Sequence, residues 1–125
     1  MIVAATPIHP PLGYQCWAFH VANDEDDTIE AIVVESVSYE WGDSGNSEAL
    51  NLTFGTLAPG ESVEVYREVN TEMRTGLTLR VRVAGRERRF YAEVGKLYAE
   101  PRGMVDIPIL GRPGKLATID EVDAG

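Results

Sequence analysis

Cysteine is almost absent: with Cys16 alone, no disulfide can form within the chain, so a stapled secreted scaffold is excluded. Long apolar runs are missing too, and nothing approaches the ~20 residues a membrane helix needs. No window of roughly ten residues places apolar side chains at helical spacing, which removes helical bundles from consideration. Most unusual is a missing sign of charge. Residues 1 to 66 hold eleven Asp or Glu and no Lys or Arg, whereas residues 67 to 125 hold all eleven basic residues and nine acids. The halves carry −11 and +2, which sum to the net −9.

What is present fits one folded domain. The chain has 125 residues, 44% of them hydrophobic and 25% charged. A chain of this size buries about two-thirds of its unfolded surface and needs no metal or disulfide to hold a core. A net charge of −9 and a pI near 4.6 argue against a general binder of nucleic acid or of anionic membranes. The stretch Met1-Ile2-Val3-Ala4-Ala5-Thr6-Pro7 has no basic leader and its apolar run stops at Pro7, so it reads as cytoplasmic, or as secreted where a leader has been removed.

Val, Ile and Thr number 13, 7 and 8, a β-branched content that predicts strands. Turn signals cut the chain at Pro10-Pro11, Asn23 to Asp27, Gly42 to Asn46, Ala58-Pro59-Gly60, Thr75-Gly76, Gly85-Arg86 and Pro101 to Gly103. Between them lie candidate strands at 14–22, 29–40, 49–54, 62–69, 77–84 and 88–94, with edge pieces at 2–6 and 105–109. The expected fold is therefore all-β, an immunoglobulin-like antiparallel sandwich of about seven or eight strands. Residues 1–103 would form the sandwich and 104–125 an edge strand and C-terminal tail.

A two-residue loop at Gly85-Arg86 predicts a hairpin in which Val81 faces Phe90 and Leu79 faces Ala92 on one side, with Arg82 facing Arg89 and Arg80 facing Tyr91 on the other. Two facing arginines repel, so the adjacent strand should supply acid, and Glu30, Glu35 and Glu40 are the available partners. That strand breaks alternation, since Ile29, Val33, Val37 and Trp41 share one parity and Ile32 and Val34 the other; a β-bulge near Glu35 or Ser36 reconciles them. Trp17, Phe19 and Val21 share a parity and read as core.

The runs Phe19-His20-Val21-Ala22-Asn23, Ile29 to Val34, Val37-Ser38-Tyr39-Glu40-Trp41-Gly42-Asp43 and Leu57-Ala58-Pro59-Gly60-Glu61-Ser62 resemble the FxLYD-type immunoglobulin-like domains of prokaryotes. In those domains a strand ending in Asn, an alternating strand ending in Tyr-Asp and a Leu-x-Pro-Gly-Glu-Ser turn follow one another. The likeness spans about residues 18 to 66, with Tyr39-Glu40-Trp41 only approximating the family's motif. It implies a non-enzymatic sandwich module and carries over no catalytic residues.

Other constellations have plain readings. Gly42-Asp43-Ser44-Gly45 matches the heart of the trypsin-like serine motif, but that chemistry needs two barrels and a histidine within reach of the serine, and Gly, Asp, Ser and Asn between strands are ordinary turn residues. Asn23-Asp24-Glu25-Asp26-Asp27 could offer oxygens to a hard cation, yet lacks EF-hand spacing and reads as a solvated loop. Cys16 and His20 lie ~13 Å apart along an extended strand and cannot share a zinc ion. Arg80, Arg82, Arg86, Arg88 and Arg89, with Tyr91 beside them, suit pairing with acidic strands or docking of an acidic partner better than nucleic acid.

Function is thus expected to be that of a non-enzymatic interaction or structural module, with no catalytic, cofactor-binding or metal-binding residues. Its candidate ligand or partner face is Trp41, Tyr39, Arg80, Arg82, Arg89 and Tyr91. The partner would be a protein or a second copy of the chain, neither a nucleic acid nor a membrane. The alternative is a carbohydrate-binding module that stacks a sugar on exposed aromatics, Trp41 first among them.

Overall fold

Alternating β-branched and aromatic residues build ten strands in the computed structural model, which describes residues 1–8, 16–41, 44–69, 73–97 and 103–122. The strands are β1 (Ile2–Ile8), β2 (Cys16–Ala22), β3 (Ile29–Trp41), β4 (Ser44–Phe54), β5 (Ser62–Val69), β6 (Arg74–Val83), β7 (Arg86–Val94), β8 (Val105–Ile107), β9 (Arg112–Leu116) and β10 (Thr118–Val122). They form two five-stranded antiparallel sheets, in the orders β5-β2-β1-β9-β8 and β10-β7-β6-β3-β4. The all-β two-sheet architecture is the one expected; the strand count is ten rather than seven or eight.

One core joins the sheets. Val3, Ala5, Trp17, Phe19 and Val21 come from the first, and Ile32, Val34, Val37, Leu77, Leu79, Val81, Ala92 and Val94 from the second. All are buried, and removal of their apolar surface from water, at about 25 cal/mol per Å², is the main force holding the layers together. The broken alternation of β3 is resolved by two register shifts against β6, between Ile29 and Ala31 and between Val34 and Ser36. The expected bulge falls at Glu35, and a second, unforeseen one falls at Glu30. Each turns the next apolar residue back to the core, so Ile29, Ile32, Val34 and Val37 are all buried.

The β6–β7 hairpin differs in register from the expectation. Val83 pairs with Arg86, so its loop is Ala84-Gly85, with φ of 52° and 74°. Two successive positive φ values suit a type I′ turn, whose twist matches that of the strands. Glu30 anchors it by accepting a hydrogen bond from the Gly85 N–H at 2.6 Å. Arg82 therefore faces Glu87, Arg80 faces Arg89 and Thr78 faces Tyr91. The correction is two residues, and because side chains alternate with period two, the buried and exposed faces remain as expected.

Three further expectations are corrected. Thr75-Gly76 lies inside β6 and not at a turn, because Gly76 makes room for a neighbouring ring: a Cβ there would sit 2.1 Å from the Tyr91 hydroxyl. The strand expected at 49–54 begins at Ser44. After Val105–Ile107 the chain does not fray. Pro108–Leu110 forms a 3₁₀ turn ended by Gly111 in the left-handed region, and β9 and β10 follow. β9 inserts between β1 and β8 while β10 pairs with β7, so residues 112–122 contribute one strand to each sheet. β8 is an edge of its own chain's sheet, as its pattern suggested.

Two glycines test this packing. A Cβ at Gly114 would lie 2.7 Å from the Ala5 carbonyl oxygen, a backbone atom of β1 that cannot swing aside, whereas the Tyr91 ring over Gly76 can. Gly114→Ala is expected to cost about 2–3 kcal/mol and Gly76→Ala about 1 kcal/mol in denaturant unfolding. Equal losses would contradict the close approach of β9 to β1.

Candidate functional site

The outward residues of β3, β6 and β7 bring the two charge blocks of the sequence together. Glu35, on its bulge, reaches over β6: its Oε1 accepts from Arg89 Nε at 2.8 Å, and its Oε2 lies 3.8 Å from Arg80 Nη1. Arg80 and Arg89 face each other in register, and the shared carboxylate offsets their repulsion. Glu30, on the other bulge, lies 3.6 Å from Arg82 Nε. Glu93 accepts from the Tyr91 hydroxyl at 3.1 Å and stands 3.9 Å from Arg74. The expected pairing between early and late strands thus occurs within one chain, through Glu30 and Glu35. These half-exposed pairs contribute roughly 0–1 kcal/mol each, so they fix the positions of side chains more than they stabilise the fold.

Tyr91 sits at the centre of this face, its ring laid over Gly76. Burial raises its pKa to about 12, with the Glu93 carboxylate contributing through hydrogen bond and charge. Of the six residues expected to share a face, Arg80, Arg82, Arg89 and Tyr91 do so. Tyr39 does not. The bulge at Glu35 puts Tyr39 on the parity of Val37, turned toward the other sheet. Its hydroxyl lies 2.6 Å from that of Tyr66 and donates to Glu68 Oε2 at 2.5 Å. Tyr66 also donates to Glu68 and meets Phe19 edge-on, with ring centroids 5.9 Å apart. This cluster ties β3 to β5, and burial, reinforced by Glu68, holds the Tyr39 phenol well above its ordinary range. Trp41 ends β3 by its backbone; its side chain lies outside the described residues, as do Tyr14 and the Gly42-Asp43 part of the serine-like motif.

At one end of the sandwich, the segments around residues 19–23, 27–29 and 57–61, three of those near which the family resemblance lies, meet around Asn23. Its buried side chain donates to the carbonyls of Asp27 at 2.8 Å and Leu57 at 3.0 Å and accepts from the Glu25 N–H at 3.1 Å. Its backbone bonds to Gly60 and Glu61. Pro59-Gly60 turns the chain between, with Gly60 at φ 87° and the Glu61 N–H bonded to the Ala58 carbonyl, the geometry of a type II turn. The acidic loop is thereby organised by an amide. Among the described residues no group of three or more His, Cys, Asp or Glu is placed to hold a metal ion.

His20 lies on the outward parity of β2, where it is bonded to the Thr6 hydroxyl at 2.9 Å. Burial, with Arg112 nearby, lowers its pKa. Sequence reasoning did not anticipate a cleft of about 230 Å³ between the sheets, floored by Ile29, Val81, Val83 and Phe90. Arg88 stands at its rim, over the Phe90 ring and bidentate to Glu121. The residues that form it are far apart in sequence, so no local signal marks it. No helix among the described residues is long and apolar enough to cross a membrane. The chain matches no family model, and no curated protein and no solved structure matches it.

The Tyr91 environment has a consequence for alkaline stability. The native phenol keeps its proton up to about pH 12 while the unfolded one releases it near 10, so stability falls as pH rises through that window. Tyr91→Phe is expected to shallow this decline, and a tyrosinate absorbance titration of the native protein should lose one group that ionises near pH 12. An unchanged titration would contradict the placement of Tyr91.

Proposed function

We propose that the chain is a non-enzymatic, immunoglobulin-like sandwich module that docks a protein partner on the outer face of its second sheet. The observation that carries this reading is the pre-arranged surface around Tyr91: Arg74, Arg80, Arg82 and Arg89 are held in place by Glu30, Glu35 and Glu93. Tyr and Arg are the residues that most often dominate binding energy at interfaces, and side chains already fixed lose less conformational entropy on docking. Each arginine retains exposed donors for an acidic partner. The resemblance over residues 18 to 66 supports the same class, since its Asn-ended strand and Pro-Gly turn meet here as structural parts rather than as a reaction centre.

The sugar-stacking alternative loses Tyr39, which is spent on the contact between sheets. The test compares affinity capture by the unaltered chain with capture by Tyr91→Ala and Arg82→Glu. Proteins retained by the first and lost, by about tenfold or more, with both variants would support the reading. Capture indifferent to both variants, or retention of glycans in a glycan screen, would count against it.

A further inference from the structure

Four strands end the two sheets, and three of them are defended against further pairing. β8 has three residues and runs directly into the Pro108 turn. β10 has five residues, with Asp120 and Glu121 among them. β5 carries Glu64, Arg67 and Glu68 and is bulged where its register shifts against β2. Short length, charge, proline and bulges are the usual devices that keep an edge from pairing with another chain. β4 differs in length, charge and composition, and shares with β5 only a register shift, against β3 between Ala49 and Leu52. It has eleven residues, Ser-Gly-Asn-Ser-Glu-Ala-Leu-Asn-Leu-Thr-Phe, with no Lys, Arg or Pro and a single charge at Glu48. Residues 45–49 and 51–53 are exposed, and Leu52 is one of four large apolar side chains that stand in solvent among the described residues.

We propose that β4 pairs antiparallel with β4 of a second copy, forming a two-fold dimer through a continuous ten-stranded sheet. The occupant follows from self-complementarity. A two-fold axis perpendicular to the sheet makes one strand antiparallel to its copy and keeps the core-side faces of both on the same side. Centred on Asn51, the pairing sets Leu50 against Leu52 of the second copy and Ala49 against Thr53. Glu48 then faces Phe54, so the single carboxylate does not meet its own copy. Apolar meets apolar at the Leu50–Leu52 pairs, and the outward N–H and C=O groups of about three or four residues in each copy gain partners. Charge selects the same strand: with a net −9 per chain, two copies repel, and β4 is the longest edge and carries the fewest charges for its length. This surface lies apart from the Tyr91 face, so the inference stands whether or not that face binds a partner.

The sign of the salt effect distinguishes this joint from an ionic one. Screening weakens the long-range repulsion and leaves hydrogen bonds and apolar contact intact, so added salt should strengthen the dimer. Sedimentation or light-scattering mass is measured on the full chain over a dilution series, at low salt and at about 0.5 M. The expected species approaches twice 13.7 kDa, more so at high salt. Leu52→Lys and Thr53→Lys, both at exposed positions inside the paired stretch, should each weaken it about tenfold or more even though each lowers the net negative charge. Val122→Lys, on the opposite edge, should leave it unchanged. A monomer under all conditions, a dimer that tolerates both β4 variants, or one lost with Val122→Lys would each overturn the proposal. Should Leu52→Lys fail to fold by circular dichroism, Thr53→Lys, exposed and on the polar face, decides alone.

Discussion

The Asn23 side chain is the point on which the two layers depend. It closes β2 in the first sheet, and its amide reaches the carbonyls of Asp27, just before β3 of the second sheet, and of Leu57, before the turn into β5. The bond to Leu57 is buried and the one to Asp27 part-buried, and loss of a donor from such acceptors costs about 1–3 kcal/mol. Leu57 in turn makes a two-bond bridge with Ile29, so the entry of β3 is fixed to the segment that precedes β5. From that start β3 runs beside β6, and its bulges aim Glu30 and Glu35 outward at the arginines. The polar face is a consequence of where Asn23 begins the strand.

The surface charges play a different part. The sequence places acids early and bases late, and the fold interleaves them as β7, β6 and β3 in one sheet. Since exposed ion pairs stabilise little, their effect is to select register and to hold side chains still. That division of labour, with burial and one amide supplying stability and ion pairs supplying order, leaves the ordered surface on which the proposed docking rests. The second sheet's other device, the long edge of β4 with its single carboxylate, sits outside this network and is the edge on which the proposed assembly rests.

Much of this was legible in the residues. Composition and turn signals pointed to two antiparallel sheets, the parity of Trp17, Phe19 and Val21 identified core, and the broken pattern of β3 located the bulge at Glu35. The errors share a cause: local signals were read without their spatial neighbours. Gly76 looked like a breaker because the ring that needs its missing Cβ comes from Tyr91 on another strand. The hairpin loop was misplaced because Ala84 gives no hint of a positive φ, which the Glu30 carboxylate on β3 supports by anchoring Gly85. Residues 112–122 looked like a tail because Gly and Pro interrupt them, and only the presence of β1 and β7 makes them strands. Tyr39 was put on the wrong face although it shares the parity of Val37, because its partners Tyr66 and Glu68 come from a strand of the other sheet. Asn23 itself was counted with an acidic loop, since nothing in the sequence tells a buried amide from a solvated one.

The direct test of the account compares denaturant unfolding of Asn23→Ala with that of Glu35→Ala. Asn23→Ala leaves the Asp27 and Leu57 carbonyls and the Glu25 N–H without that partner, and a loss of more than about 2 kcal/mol is predicted. Glu35→Ala removes a half-exposed carboxylate shared by Arg80 and Arg89, and a loss below about 1 kcal/mol is predicted. Equal losses, or a larger one for Glu35→Ala, would contradict the claim that a buried amide, and not the ion-pair network, ties the two sheets together.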